Sequence, residues 1–497
     1  MNAQAYSKLE QRFRRIGIMR DAGEALHWDY ATMMPSGGGP GRGDQLAELS
    51  AVSHSLLTAP EISDLLDSAE AVDGLDPWQS ANLGAMRRKW LHATALSEDL
   101  VLAFSKACTG CETVWRTARA DAGFASVLPH LENLLSLVRE CAAAKAEKLS
   151  LSPYDALLDE FEPGGRSTDI DGRFAELETF LPGFLGQVLE KQKADPARPM
   201  PEGPFEQESQ RILGLKLMAA LGFDFNHGRL DVSLHPFCGG TPDDVRITTR
   251  FDENDFSSAM MGVLHETGHG LYERGLPQDW RYQPVGEALG MATHESQSLL
   301  IEMQMSRSRP FLEFAAPLMR DAFGGSGPAW EPQSLYRNLI NVEPGFIRVD
   351  ADEVTYPLHV ILRYRLEKQM IAGDLALSDL PAAWNDAMES LLGIRPPSDR
   401  EGCLQDIHWY DGAWGYFPTY TLGAMTAAQL YGAALQYDPE IGAGIAKGNF
   451  TALKEWLGKN VHSLGCSLGP EKVIEQATGR PLDSSAFISH LKSRYLA

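Results

Sequence analysis

The sequence predicts a large, mainly α-helical domain with one small patch of β-structure, and three observations carry that expectation. Apolar residues recur at helical spacing through most of the chain, as in AVSHSLLTAPEISDLLDSAEAV and FAELETFLPGFLGQVLEKQKA, whereas strict alternation is scarce. Only 229–252 departs: RLDVSLHPFCGG and DDVRITTRFD are short, β-branched and bounded by Gly, Pro and Asp, as a small hairpin or ribbon would be. The linker-like stretches SGGGPGRG (36–43), EPGGRST (162–168) and ADPARPMPEGPF (194–205) do not separate halves of different composition, and no repeat of fixed period occurs. Residues 1–497 are therefore read as one domain.

Composition narrows the partners. Of 497 residues, 44% are hydrophobic, enough for a large buried core. Forty-four Lys+Arg against 67 Asp+Glu give a formal charge of −23, which repels phosphate backbones and anionic lipid. Nucleic acid and membrane surfaces are poor partners for such a chain. The first thirty residues scatter charge through every apolar stretch, so no secretory signal is read there. No run of about 18 apolar residues occurs either, so no transmembrane helix is expected. Six cysteines are too sparse for a disulfide framework, which suits a reducing compartment, and the expected location is the cytoplasm. Cys108 and Cys111 form a lone CxxC inside a helical stretch and are read as helix packing.

The helix predicted from Phe256 to Arg274, with Asn254 or Asp255 available as its cap, contains His265-Glu266-Thr267-Gly268-His269. This is the HExxH pattern, and its spacing has a physical reason. Residues i and i+4 stack on one helix face, so two imidazoles can hold one Zn²⁺ while Glu266, one step round, reaches the water that zinc activates. With 13 His in the chain, chance would produce the pattern in roughly 2–3% of such sequences, so the motif is strong without being conclusive.

A catalytic zinc needs a third protein ligand. The extended pattern HExxHxxGxxH is excluded, because its later positions are Tyr272 and Gly275. Beyond a Gly275-Leu276-Pro277 break, the helical stretch GEALGMATHESQSLLIEMQM places Glu295 on a face with Met291, Leu299 and Glu302. A carboxylate on an otherwise apolar face most needs a compensating partner, which favours Glu295. His294, Glu287 and Glu302 remain as alternatives.

Further short elements occur in a fixed order: His235-Pro236-Phe237, then Asp244-Val245-Arg246-Ile247-Thr248, then HExxH, then His294-Glu295-Ser296-Gln297. They continue with Ile347-Arg348-Val349-Asp350-Ala351-Asp352 and with the run from Gly402 to Trp409 that holds Gln405-Asp406 and His408. With Trp28-Asp29 and Met34-Pro35 near the start, the chain resembles carboxypeptidase Taq type (M32) metallocarboxypeptidases over nearly its whole length. The resemblance implies His265, His269 and Glu295 as ligands of one Zn²⁺, with Co²⁺ as a possible substitute, and Glu266 as base. It also implies a helical fold whose small sheet lines a deep cleft, a homodimer, and removal of C-terminal residues from peptides with broad preference.

Other residues acquire roles on the same basis. An exopeptidase must recognise a terminal carboxylate, and the guanidinium of Arg348 matches one; the competing structural reading is a salt bridge to Asp350 or Asp352. His235 and Arg246, flanking the presumed ribbon, are candidate cleft residues, though Arg246 could simply pair with Asp244. His408 and Tyr420, placed in an aromatic- and Gly-rich loop, are candidate hydrogen-bond donors to an oxyanion, with Tyr420 preferred to Tyr410 and Tyr416. Two rival functions stay open: an endo-acting zinc oligopeptidase, and a peptide-binding protein without turnover on the same scaffold.

Overall fold

The computed structural model describes residues 2–71, 73–194, 198–233 and 236–496. It is mainly helical with a small sheet, as the periodicity predicts. The first four long helices, Asn2–Thr32, Gly39–Leu57, Glu61–Glu70 and Pro77–Thr94, gather round a small core of Tyr6, Leu9, Phe13, Ile62, Leu66, Leu83 and Met86. From Glu98–Ala120 onward the helices share a much larger core that runs to Tyr495. Local chemistry sets their starts. Asp76 and Gln79 form a capping box, and Ser97, Ser152 and Ser308 accept N–H groups of their own first turns.

Two expectations about loops are corrected. The stretch 36–43 is not a linker: Ser36–Gly38 is a 3₁₀ turn running directly into helix Gly39–Leu57, and Pro40 suits the first turn because its missing N–H is not needed there. Nor is Glu162 a linker residue, since its carboxylate is buried. Residues 195–197 of the third stretch lie outside the described ones. Cys108 and Cys111 do lie on helix Glu98–Ala120, and all six cysteines are free thiols. Among the described residues no helix is long and apolar enough to cross a membrane.

The β-structure is larger than a hairpin. β1 (Gly228–Val232), β2 (Cys238–Thr241) and β3 (Asp244–Thr249) form a sheet in the order β1-β3-β2. β2 and β3 are the antiparallel hairpin, with Thr241 opposite Asp244, while β1 pairs parallel to β3 from Gly228↔Val245 to Val232↔Thr249. Parallel pairing leaves no tight-turn signal in sequence, because β2 itself forms part of the connection. Val245 and Ile247 face inward onto Met218, Phe223 and Val263. Val263 belongs to helix Phe256–Gly275, so the sheet braces the helix that carries HExxH.

Candidate metal centre and active site

Helix Phe256–Gly275 starts at Asp255, whose Oδ1 accepts the N–H groups of Ser257 (2.9 Å) and Ser258 (3.4 Å). His265 and His269 then sit one turn apart, with ring centroids 4.9 Å apart and planes 80° to each other. Between them Gly268 makes room for a second helix: a Cβ there would lie 2.4 Å from the Gln297 carbonyl oxygen. That crossing helix, Gly290–Leu299, brings Glu295 Oε2 to 3.5 Å from His269 Nε2 and 3.9 Å from His265 Nε2. The three donor atoms lie within 4.8 Å of one another. A tetrahedral site with bonds of about 2.0–2.1 Å has edges of roughly 3.3–3.4 Å, so the donors fit a small divalent ion with little adjustment.

The electrostatics point the same way. Burial disfavours a charged His265, but its hydrogen bond to Glu302 and the charges of Glu295 and Glu266 prevail and raise it to about 10. His269 falls to about 4 through burial and the nearby His294. Burial opposes ionisation of Glu295, yet the hydrogen bond from His269 and the charge of His265 hold it at about 2. Glu266, only 7% exposed, is pushed up to about 7 by burial against the attraction of His265. The cluster keeps positive charge where a cation would sit.

Of the alternative ligands, none joins the cluster. Glu287 turns toward the N-terminal helices, paired with Arg20 and Lys89. His294 packs its ring 4.5 Å from that of His269 and shares a 2.8 Å bond with Glu273. Glu302 supports the site from behind: its Oε2 is 3.0 Å from His265 Nδ1 and its Oε1 accepts from Arg307 at 2.7 Å. This carboxylate–imidazole contact fixes the ring so that Nε2 faces the other donors. A π-helix, Leu300–Ser306, continues the crossing helix and carries Glu302.

Arg348, 5% exposed, lies on a 3₁₀ turn (Arg348–Asp350) and not on a salt bridge to Asp350 or Asp352. Its Nε and Nη2 donate to Asp406 Oδ1 at 3.0 and 2.8 Å, while Arg363 Nε donates to Oδ2 at 2.7 Å. Asp352 instead accepts the N–H groups of Val354 and Thr355 ahead of helix Tyr356–Ala372, which is the capping role predicted for it. Burial works against ionising Asp406, but the two arginines outweigh it and hold its carboxyl well below the ordinary range. Tyr420 lies under the Arg348 guanidinium, 4.5 Å from carbon to ring centre, and its hydroxyl is 3.1 Å from His408 Nε2. Burial and Arg348 lower His408 to about 3, so it is neutral. Two guanidiniums therefore face one carboxylate, which leaves one positive charge and Arg348 Nη1 without a partner among the described residues.

Comparison with known proteins gives this geometry a family. The model of the carboxypeptidase Taq (M32) metallopeptidases matches residues 8–495. The chain is 35% identical over 508 residues to thermostable carboxypeptidase 1 of Thermus thermophilus, covering 99% of this chain and 98% of that protein. It is 34% identical over 487 residues to carboxypeptidase 1 of Bacillus subtilis, covering 97% and 96%. It belongs to the M32 family. The fold agrees: Trypanosoma cruzi metallocarboxypeptidase 1 superposes with a TM-score of 0.97 at 40% identity, covering 99% of this chain and all of that one. Pyrococcus furiosus carboxypeptidase gives 0.94 at 34%, covering 99% of both. The chain is thus a metallocarboxypeptidase, a peptide hydrolase whose family implies a divalent metal.

Within this M32 chain the remaining candidates divide. His235 lies outside the described residues. Arg246 does pair with Asp244 (3.0 and 2.6 Å), and its guanidinium also stacks 4.5 Å over Trp28 of the first helix. Tyr420 is on the first turn of helix Pro418–Tyr437, not in a loop, because Pro418 starts the helix two residues earlier. Tyr410 is core, bonded to the Cys403 carbonyl, whereas the rings of Tyr416 and Tyr356 lie 5.2 and 6.2 Å from that of Tyr420. Sequence reasoning missed Arg363 and the part played by Asp406. Asp406 stands in the same motif as His408, and a buried acid beside a candidate clamp is the signal that would have found it.

Proposed function

We propose that this chain is a zinc-dependent carboxypeptidase of broad specificity that removes C-terminal residues from peptides, with His265, His269 and Glu295 holding Zn²⁺ or, in substitution, Co²⁺. The observation that carries this reading is the convergence of those three donors beside Glu266, with Arg348 carrying unneutralised positive charge in the same molecule. Zinc, when bound, supplies Lewis acidity for the scissile carbonyl and acidifies water. Glu266, raised toward neutrality by burial, takes the proton of the attacking water and delivers it to the leaving amine. Glu302 keeps His265 oriented. Arg348, held in place by Asp406, receives the substrate's terminal carboxylate through its remaining donor, which cancels the surplus charge. Tyr420 and neutral His408 donate to the oxyanion side, and Arg246 and His235 line the cleft.

The free-carboxylate requirement sets this function apart from an endo-acting oligopeptidase, and an intact Glu266 sets it apart from a peptide-binding protein without turnover. On the family resemblance we also take residues 1–497 to act as one unit, as a cytoplasmic homodimer. The test is Glu266→Gln: turnover is abolished while zinc stays near one equivalent per chain, because the base is not a ligand. Loss of zinc from that variant would remove the assignment.

A further inference from the structure

Glu295 depends on where its helix begins, and that beginning is made by residues from elsewhere. Helix Gly290–Leu299 has Leu289 at its N-cap position, with no side chain capping it, so its first-turn N–H groups need outside partners. Two are supplied. The Leu289 N–H donates to Tyr272 Oη (2.9 Å), on the helix that carries HExxH, and the Ala292 N–H donates to Glu162 Oε2 (3.0 Å). The carboxylate is close enough that a Cβ on Gly290, whose φ is +59°, would lie 2.9 Å from Oε2. A carboxylate at this end of a helix also meets the positive end of its dipole.

The anchor is itself rigid. One turn before Glu162, Asp159 accepts from Arg88 Nε (2.9 Å) and from the Gly164 N–H (2.9 Å), and lies 2.9 Å from His92 Nε2. Phe161 packs edge-on against Tyr416, with centroids 5.0 Å apart. At the other end of the lever, Glu295 presses against helix Pro418–Tyr437, where a Cβ on Gly423 would lie 2.9 Å from Glu295 Cβ. Ala292 is three residues before Glu295. With the side blocked at Gly423, the position of Glu295 along its helix axis is set at the N-terminus. Metal sites tolerate only a few tenths of an ångström in ligand distance, so a small axial slip would be felt at the ion.

We propose that Glu162 is a positioning residue for the metal centre: its hydrogen bond to Ala292 N–H fixes the height of Glu295 beside His265 and His269, and so the metal affinity. This rests on the reading of Glu295 as a ligand. Burial has raised the Glu162 carboxyl to about 7, which indicates that the contact is kept against a desolvation cost. The role requires reach and an acceptor oxygen, not charge.

Two conservative variants separate those requirements. Glu162→Gln keeps the reach and the acceptor and loses the charge; Glu162→Asp keeps the charge and withdraws the acceptor by one methylene. Zinc affinity is measured by chelator competition on the full-length protein, alongside the thermal midpoint of the metal-free form. We expect Glu162→Asp to lose about 10–100-fold in zinc affinity, as outer-shell changes do, and Glu162→Gln to stay close to wild type. Metal-free thermal midpoints of the two should differ little. Wild-type affinity in Glu162→Asp, or equal losses in both variants, would overturn the proposal. Glu295→Ala is the control: if it loses affinity while Glu162→Asp does not, only the positioning role falls. If Glu295→Ala binds zinc normally, the ligand reading falls and the positioning role with it.

Discussion

Replacing Arg348 by alanine separates recognition of the substrate's end from the chemistry at the metal. The side chain spends Nε and Nη2 on Asp406 and keeps Nη1 free, so its loss removes both the donor for the substrate carboxylate and the surplus positive charge. Truncating one partner of a buried charged pair costs about 2–5 kcal/mol, which corresponds to roughly 30-fold to several thousand-fold in kcat/KM on free-carboxylate peptides. The fold should tolerate the change. Asp406 retains its 2.7 Å bond from Arg363, so no carboxylate is stranded, and metal content should not move. Arg348→Lys should recover only part of the loss, because an ammonium supplies charge without the planar fork that also grips Asp406. The assay is steady-state hydrolysis of a peptide and its C-terminal amide by wild type and variant. Wild type is already poor on the amide, and the substitution should make almost no further difference there. Equal impairment of both substrates, or a large fall in thermal midpoint, would show that Arg348 serves the fold and that the carboxylate binds elsewhere, with Arg246 the next candidate.

Other consequences follow from groups behind the site. Glu302→Ala removes the oxygen that orients His265 and should weaken zinc binding by about 10–100-fold in chelator competition, with Arg307 left uncompensated. Glu353, 1% exposed, accepts from Arg494 (2.9 Å) and lies 2.8 Å from His490, tying the C-terminal helix to the segment that carries Arg348. Burial opposes its ionisation, but Arg494 and His490 hold it at about 2 in the folded chain against an ordinary 4.5. A depressed folded value adds stability above the unfolded one, about 3 kcal/mol here, and loses it as pH falls from about 4.5 to about 2. Unfolding of wild type should therefore show an acid limb in that window, and Glu353→Gln should be less stable at pH 7 and flatter in acid; an unchanged acid limb would count against the latch.

What sequence could reveal followed the range of the interaction. Spacing at i and i+4, together with Asp255 ahead of an apolar run, was enough to place His265, Glu266 and His269 on one capped helix. Glu295 was accessible by elimination because a carboxylate on an apolar face needs a partner. Glu302 appeared as a rival ligand and is instead the orienting carboxylate, since the π-helix from Leu300 changes the spacing that an α-helical reading assumes. Contacts across long separations were hidden. Asp406 is 58 residues from Arg348, and the parallel pairing of β1 with β3 has no turn to announce it. Glu162 stood in a stretch that reads as a linker by composition, and only the packed structure shows its carboxylate under the Ala292 N–H.

The account's central claim is metal-dependent removal of residues from the C-terminal end, and mass spectrometry of one unblocked peptide tests it. The zinc-loaded protein should generate a ladder shortening only from the C-terminus, chelation should stop it, and added zinc should restore it. Cleavage from the N-terminus or within the peptide, or a ladder that persists after the metal is removed, would contradict the account.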